Sequence, residues 1–300
     1  MGAGAYLLWG VFPLYFPLMA PAGALEVLVH RVVWTAVVCA VVLMLARSWG
    51  SVLEVVRRPR TLALLSLAAV LIATNWLVYI YGVLSEQVVE TALGYYINPI
   101  VTVLLGVFVL KERLSRAQWV AVGIGGVAVV VLTVDYGRLP WIALTLSASF
   151  GLYSLVKNRV GRGVGALQSL SVETAVLAPA ALALLAWFEL TGRGSLVSEG
   201  AGHTALLVSA GVVTAVPLLL FASAARRVPL STIGLLQYLT PTGQLLIGVL
   251  VLGEPMPLSR LVGFALVWTA LAVLTVDMLA RARRQRLERN ALANAVPHPG

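Results

Sequence analysis

Charge is scarce in this sequence: only 11% of its 300 residues are Asp, Glu, Lys or Arg, against 60% hydrophobic. Soluble domains carry about 25% charged residues, so a soluble globular domain is excluded. Cysteine is almost missing. The single Cys39 rules out an internal disulfide, and it sits mid-run as a small buried hydrophobe. Histidine is as sparse, and His30, His203 and His298 are too scattered for a metal motif. The chain also lacks a Walker loop, a His-Glu metal pair, a Ser-His-Asp set and a Gly-Asp dyad. No catalytic residue, cofactor or metal is therefore expected, and an ATP-driven pump has no support. Alternating apolar and polar strands, the mark of a membrane barrel, are absent too.

What fills the chain instead is a series of weakly charged apolar stretches about 20 residues long, enough to cross a hydrocarbon core of about 30 Å as a helix. The reading is an all-α polytopic membrane protein. Ten spans are expected, at 3–19, 24–46, 61–84, 88–110, 117–135, 139–156, 166–190, 203–224, 230–252 and 259–280. The first opens almost at Met1 with no basic stretch before it and no small-residue cleavage site, so it reads as a retained helix and not a signal peptide. The net charge of +9 reflects topology rather than nucleic acid, because the basic residues cluster between the spans.

Alternating the loops between two sides sorts those residues sharply. One side receives Arg47, Arg57, Arg58 and Arg60, then Lys111, Arg113 and Arg116, then Lys157, Arg159 and Arg162, then Arg226 and Arg227, and finally the tail arginines 281, 283, 284, 286 and 289. The other side receives Arg138, Arg193 and Arg260, which leaves Arg31 unassigned inside a span. The positive-inside rule then puts both termini in the cytoplasm. The tail, 281–300, is expected as a solvated basic segment attracted to anionic lipid.

An internal duplication organises the spans. Residues 93–135 align without a gap to 235–277, with 16 of 43 positions identical, among them Tyr96/Tyr238, Pro99/Pro241, Glu112/Glu254 and the closing Thr-Val-Asp. Each copy belongs to a half of five spans, and an odd number inserts the second half upside down. The expected domains are a first repeat at 1–135, a second at 139–280 and the tail at 281–300. Inverted repeats are the architecture of secondary transporters, whose site lies near the midplane where the halves meet.

Proline and polar residues coincide there in both copies. Pro99 and Pro241 are expected to break helices 4 and 9 and to free the carbonyls of Tyr95 and Gln237. Thr91, Tyr95, Asn98 and Thr102 share one face of helix 4, and Ile233, Gln237, Thr240 and Gln244 occupy the matching positions. These groups line a cavity or, as the alternative, hold helices together. Helix 3 adds Asn75, Trp76 and Tyr79, helix 1 adds Tyr6, Trp9, Pro13 and Phe16, and "SFGLYSL" in helix 6 adds Phe150 and Tyr153. Large rings with few polar groups suit a flat or amphipathic solute, and equally suit packing. Glu90, Glu173 and His30 are the candidates for proton coupling, with a wet, paired or packed role as the alternative for each. Arg31, beside His30, which shares a helix face with Glu26, is expected to face the cavity and to pair with a carboxylate or an anionic solute group.

The stretches "LLWGVFPLYF", "VHRVVWT", "NWLVYIYGV", "ETALGYYINPIVTVLLGVFVLKERLS", "TAVPLLLFASAARRVPLSTIGLLQYLTPT" and "FALVWTALAVLTVD" together resemble the drug/metabolite transporter superfamily. Within it the match is to EamA-type permeases of the RarD group, sometimes labelled chloramphenicol-sensitive proteins. The resemblance spans nearly the whole chain, although helix 1 starts closer to Met1 than it implies. It implies ten helices in inverted halves around a central cavity, a multi-pass place in the bacterial plasma membrane, and movement of a small organic metabolite or drug-like solute without ATP, with export favoured. The partners expected are that solute and the bilayer, with no nucleic acid. Monomer and homodimer both stay open, and the alternatives are an intramembrane enzyme or a non-transporting receptor.

Overall fold

The computed structural model describes residues 2–111, 113–161, 163–225 and 235–295. Glu112, Arg162, Arg226, Arg227, Ile233, His298, the start of the expected ninth span and the side chains of Arg286 and Arg289 lie outside the described residues. The described chain is helical: α1 (Gly2–Gly10), α2 (Phe12–Tyr15), α3 (Ala24–Leu45), α4 (Trp49–Val56), α5 (Pro59–Leu84), α6 (Val88–Leu110), α7 (Arg116–Tyr136), α8 (Trp141–Val160), α9 (Ala166–Leu190), α10 (Gly200–Ala225), α11 (Leu239–Leu246) and α12 (Leu258–Ala295). Seven of these helices are long and apolar enough to cross a membrane, and an eighth span arises if α1 and the following helical turns to Met19 act as one.

Three elements differ from expectation. The first span bends by 43° between Gly10 and Phe12, just before Pro13, so its aromatic residues split into two groups. A short amphipathic helix, α4, occupies the loop after α3, with Val55 buried while Trp49 and Leu53 are exposed. The expected solvated tail continues α12 as helix to Ala295, since Arg, Gln, Leu and Ala are strong helix formers and no proline intervenes before Pro297.

The chain forms two compact units. In the unit of residues 103–139 and 257–300, α7 and α12 lie antiparallel. Ser115 opens α7 with a reciprocal capping box to Gln118, and Gly137 closes it in the left-handed region at φ 63°. The Ser115 hydroxyl also donates to Asp277 near the middle of α12 at 3.2 Å, while at the opposite end Arg260 Nε meets Asp135 at 2.9 Å and Ser259 donates to the same carboxylate. The duplicated aspartates thus join the duplicated helices at both ends.

The unit of residues 1–102 and 140–256 holds α3 against α9 and α10, and α5 against α8. Its core includes Phe16, Met19, Val27, Val29, Ile80, Leu146 and Leu207. Two carboxylates satisfy helix N-termini that lipid would leave bare: Glu254 accepts the Val88 and Val89 amides at 2.5 and 2.8 Å, and Glu90 accepts the Ile142 amide at 3.0 Å. The prolines act less sharply than expected. α6 runs through Pro99 unbroken, because one lost bond leaves the neighbouring turns intact. Pro241 sits in the first turn of α11, where an amide is orphaned anyway, so the break precedes it at 237–238.

α3 crosses α10 at close range. A Cβ on Gly211 would lie 2.4 Å from the Trp34 carbonyl carbon, so only glycine allows this approach. Gly211→Ala is expected to lower the thermal unfolding midpoint in detergent, with overpacking costing about 1–3 kcal/mol. Gly202→Ala in the same helix meets nothing within 4 Å and is expected to leave the midpoint unchanged or raised.

Candidate functional site

The α3–α10 crossing brings together the residues on which the site is built. Three residues before Trp34 lies Arg31, and three after Gly211 lies Thr214, whose hydroxyl accepts from Arg31 Nε at 2.8 Å. Arg31 is only 4% exposed, and its guanidinium stacks 4.1 Å from the Trp76 ring centre, with Phe12 and Phe16 at 5.5 and 5.7 Å. Nη1 is buried and has no protein partner. The expected carboxylate partner is not found among the described residues, whose ion pairs join Lys157 to Glu173, Arg260 to Asp135 and Arg281 to Asp277. A hydroxyl and three ring faces take its place, and Nη1, which carries two N–H groups, is left without a protein acceptor.

A layer of hydroxyl and amide groups surrounds this cation. Tyr79 stacks edge-on to Phe16 and to Tyr95, at 5.9 and 5.7 Å between ring centres. Its hydroxyl accepts from Gln244 Nε2 at 3.0 Å, while Tyr95 donates to Asn75 Oδ1 at 3.1 Å. Asn75 Nδ2 in turn donates to the Leu146 carbonyl and to Ser149. Phe150 packs on Tyr95, and Tyr153 on Phe150, which extends the aromatic wall. Gln244 Oε1, like Arg31 Nη1, is buried without a partner. Both free atoms thus flank the same tyrosine-lined region of one unit.

Of the sequence candidates, Arg31, Asn75, Trp76, Tyr79, Tyr95, Tyr153 and Gln244 belong to this group. Four do not join it by any hydrogen bond or ring contact described. Thr91 donates to the Val88 carbonyl and packs its methyl near Gly82, Asn98 accepts from Thr102, and Gln237 lies half-buried in the turn before α11. Thr240 donates to the Tyr6 carbonyl, where Tyr6 and Trp9 gather around Phe221.

The three ionisable candidates divide as well. Glu90 is buried and committed to the α8 N-terminus. Glu173, also buried, is paired with Lys157 at 2.7 Å and accepts from Ser169 at 2.8 Å and Tyr153 at 3.3 Å, in a cluster where Lys157 also donates to Ser169. His30 is fully buried; its Nδ1 accepts from Trp34 Nε1 at 3.3 Å and its Nε2 has no partner. Sequence reasoning missed Thr214 and Phe12 as neighbours of Arg31, and Lys157 as the partner of Glu173. The i, i+16 spacing of Lys157 and Glu173 crosses a loop, so no helical periodicity marks it.

The burial of Arg31 makes a prediction with two signs. Thr214→Val strands Nε in an apolar surround and is expected to cost about 1–3 kcal/mol, read as a lower unfolding midpoint. Arg31→Met removes the buried charge itself and is expected to leave the midpoint equal or higher, as for other ionic groups replaced by apolar ones of like volume. A loss of stability in Arg31→Met as large as in Thr214→Val would show that the guanidinium serves packing.

Comparison with known proteins agrees with this architecture. A solved crystal structure superposes over 93% of this chain and 97% of that chain with a TM-score of 0.61 at 21% identity, which shows a shared fold. The chain is 50% identical to protein RarD of Streptomyces exfoliatus over 98% of its length and 93% of that protein's. It is 40% identical to an uncharacterized transporter of Vibrio cholerae over 96% of its length and 95% of the relative's. The model of the EamA-like transporter family matches residues 1–134 and again residues 139–276. The chain is therefore a multi-pass membrane transporter that belongs to the EamA-like family, in its RarD group.

Proposed function

We propose that this permease is a secondary active exporter of a small organic solute that carries an anionic group on a flat or amphipathic body. The observation that carries the reading is the buried guanidinium of Arg31, stacked on Trp76 with Nη1 unpartnered. A planar cation with a free N–H donates well to a carboxylate, and the tyrosine and phenylalanine rings beside it suit a ring or acyl body. Asn75, Tyr79, Tyr95, Tyr153 and Gln244 fix the solute's orientation. Thr91 and Asn98 on α6, Thr240 on α11 and Gln237 in the turn before it serve the path rather than the binding centre. The cargo comes from the metabolite or drug-like class.

The mechanism belongs to the same proposal. Ten spans in two inverted repeats, with both termini cytoplasmic, carry the solute by alternating access through a central cavity in the bacterial plasma membrane. Two matches of one family model to successive halves support the repeat. So does the antiparallel pairing of α7 with α12, helices that the duplication makes equivalent.

Reconstituted in sealed vesicles, the folded protein is expected to exchange labelled solute with unlabelled solute for at least one member of a panel of small organic acids and amphipathic drugs. Arg31→Gln is expected to reduce that counterflow at least about tenfold, the loss of roughly one charge-assisted hydrogen bond. Absence of counterflow across the whole panel would overturn the transport reading, and undiminished counterflow in Arg31→Gln would overturn the anionic one. Topology is read separately in a Cys39→Ala background. A cysteine at exposed Ser198 is expected to react with an impermeant maleimide outside intact cells, and one at exposed Arg57 only after lysis; the reverse pattern would invert the orientation.

A further inference from the structure

Outside the Arg31 centre, the same unit buries a second polar cluster that the solute site does not use. Glu26 opens α3, Ser195 lies in the connector between α9 and α10, and His203 stands near the start of α10. They are 4%, 5% and 8% exposed. One carboxylate oxygen of Glu26 accepts the Ser195 amide at 2.6 Å and the Ser195 hydroxyl at 2.9 Å. The same hydroxyl lies 2.8 Å from His203 Nε2.

The donor inventory fixes the direction of this chain. A serine hydroxyl has one proton, and here it points to Glu26, so its lone pair accepts from His203 Nε2–H. The result is a line from His203 through Ser195 to Glu26. One helical turn below Glu26 lies His30, fully buried and within electrostatic range of both Glu26 and His203. Because His30 Nδ1 accepts from Trp34, its Nε2 carries the proton in the neutral ring, and that N–H has no partner.

We propose that Glu26, Ser195 and His203 form a proton-binding relay at the end of the transport path opposite the arginine-rich loops, and that it supplies the coupling ion for the exchange. A proton taken up by His203 makes the imidazolium. Nε2–H then passes to the Ser195 oxygen as the Ser195 proton passes to Glu26, leaving a neutral imidazole, an intact hydroxyl and a carboxylic acid. Charge and protons balance without any other reactant. Neutral Glu26 holds the Ser195 amide less strongly than the carboxylate does, so protonation loosens the connector from α3.

The charged groups around the relay are few. Arg31 and His30 share α3 with Glu26. On the α9 side Arg193 is exposed and stacks on Trp187, and Glu189 lies beside Gly194 with one oxygen buried and unpartnered. Two further carboxyls lie on this side: Glu199 is exposed in the connector between Ser195 and His203, and Glu189, with its buried oxygen, is the one that resembles Glu26 and provides the control.

The relay rests on the transport reading for its purpose, yet proton binding is measurable without solute. Infrared difference spectra of the full chain in lipid bilayers, recorded across pH steps, are expected to show a carboxylic acid carbonyl band that disappears in Glu26→Gln and persists in Glu189→Gln. His203→Gln, which keeps Glu26 in place, is expected to move the midpoint of that band by about one pH unit, a tenfold change in proton affinity. Ser195→Thr keeps the bridging hydroxyl and is expected to retain the original midpoint, whereas Ser195→Ala moves it. A spectrum unchanged in Glu26→Gln, or a midpoint unmoved by His203→Gln, would overturn the relay. Counterflow that persists while the band is absent would remove the relay alone, and a titrating band in a protein without flux would support the site while removing the transport reading.

Discussion

A permanent charge buried in a membrane-spanning helix constrains everything around it. Arg31 cannot shed its proton, so the fold supplies what solvent would otherwise give. It does so with one hydroxyl from α10 and the faces of Trp76, Phe12 and Phe16, leaving Nη1 open. That solution demands a close crossing of α3 and α10, which Gly211 permits. The two rings from the first span, Phe12 and Phe16, both lie beyond the bend at Gly10. In the proposed transport site the open donor is what remains for a solute, because a fully paired guanidinium would have nothing left for a ligand.

Carboxylates solve a related problem at the helix ends. In a bilayer, bare N-terminal amides are expensive, and this chain meets several of them with side chains distant in sequence. Glu254 holds the start of α6 and Glu90 the start of α8. Each contact ties one segment of the first unit to another across more than 50 residues. The duplicated Asp135 and Asp277 do the equivalent work between α7 and α12 in the second unit. Acids that look alike in an apolar sequence thus divide into helix-end acceptors, ion-pair partners such as Glu173, and the hydroxyl-bound Glu26.

What the sequence disclosed follows from range. Apolar runs and the 93–135 with 235–277 alignment are local or collinear signals, and they marked the long apolar helices, the related segments and Arg31. The aromatic and amide group around Arg31 was legible because helical spacing places Asn75, Trp76 and Tyr79 near one another. Contacts made by connectors were not. Ser195 reaches Glu26 over 169 positions through a segment with no periodicity, and the pairing of Glu90 with the Ile142 amide leaves no trace in residue type. Pro99 shows the converse error: its chemistry promised a break, but the helix around it was stable enough to absorb one missing bond.

The two polar centres are joined by one helix. Glu26, His30 and Arg31 lie within six positions of α3, so the relay and the cation occupy adjoining turns of one helix. Two hydrogen bonds from Ser195 to an ionised carboxylate are worth about 1.5–3 kcal/mol each, and neutral acceptors give roughly half. Protonating Glu26 therefore weakens this attachment by an amount on the order of the 1.4 kcal/mol that changes a population tenfold. A change of that size at the end of α3 acts directly on a helix whose position against α10 is set by Gly211 and whose next turn holds Arg31 on Thr214. The coupling then needs no long pathway through the protein, only a rigid helix with a titratable latch at one end and a partly satisfied cation one turn further in.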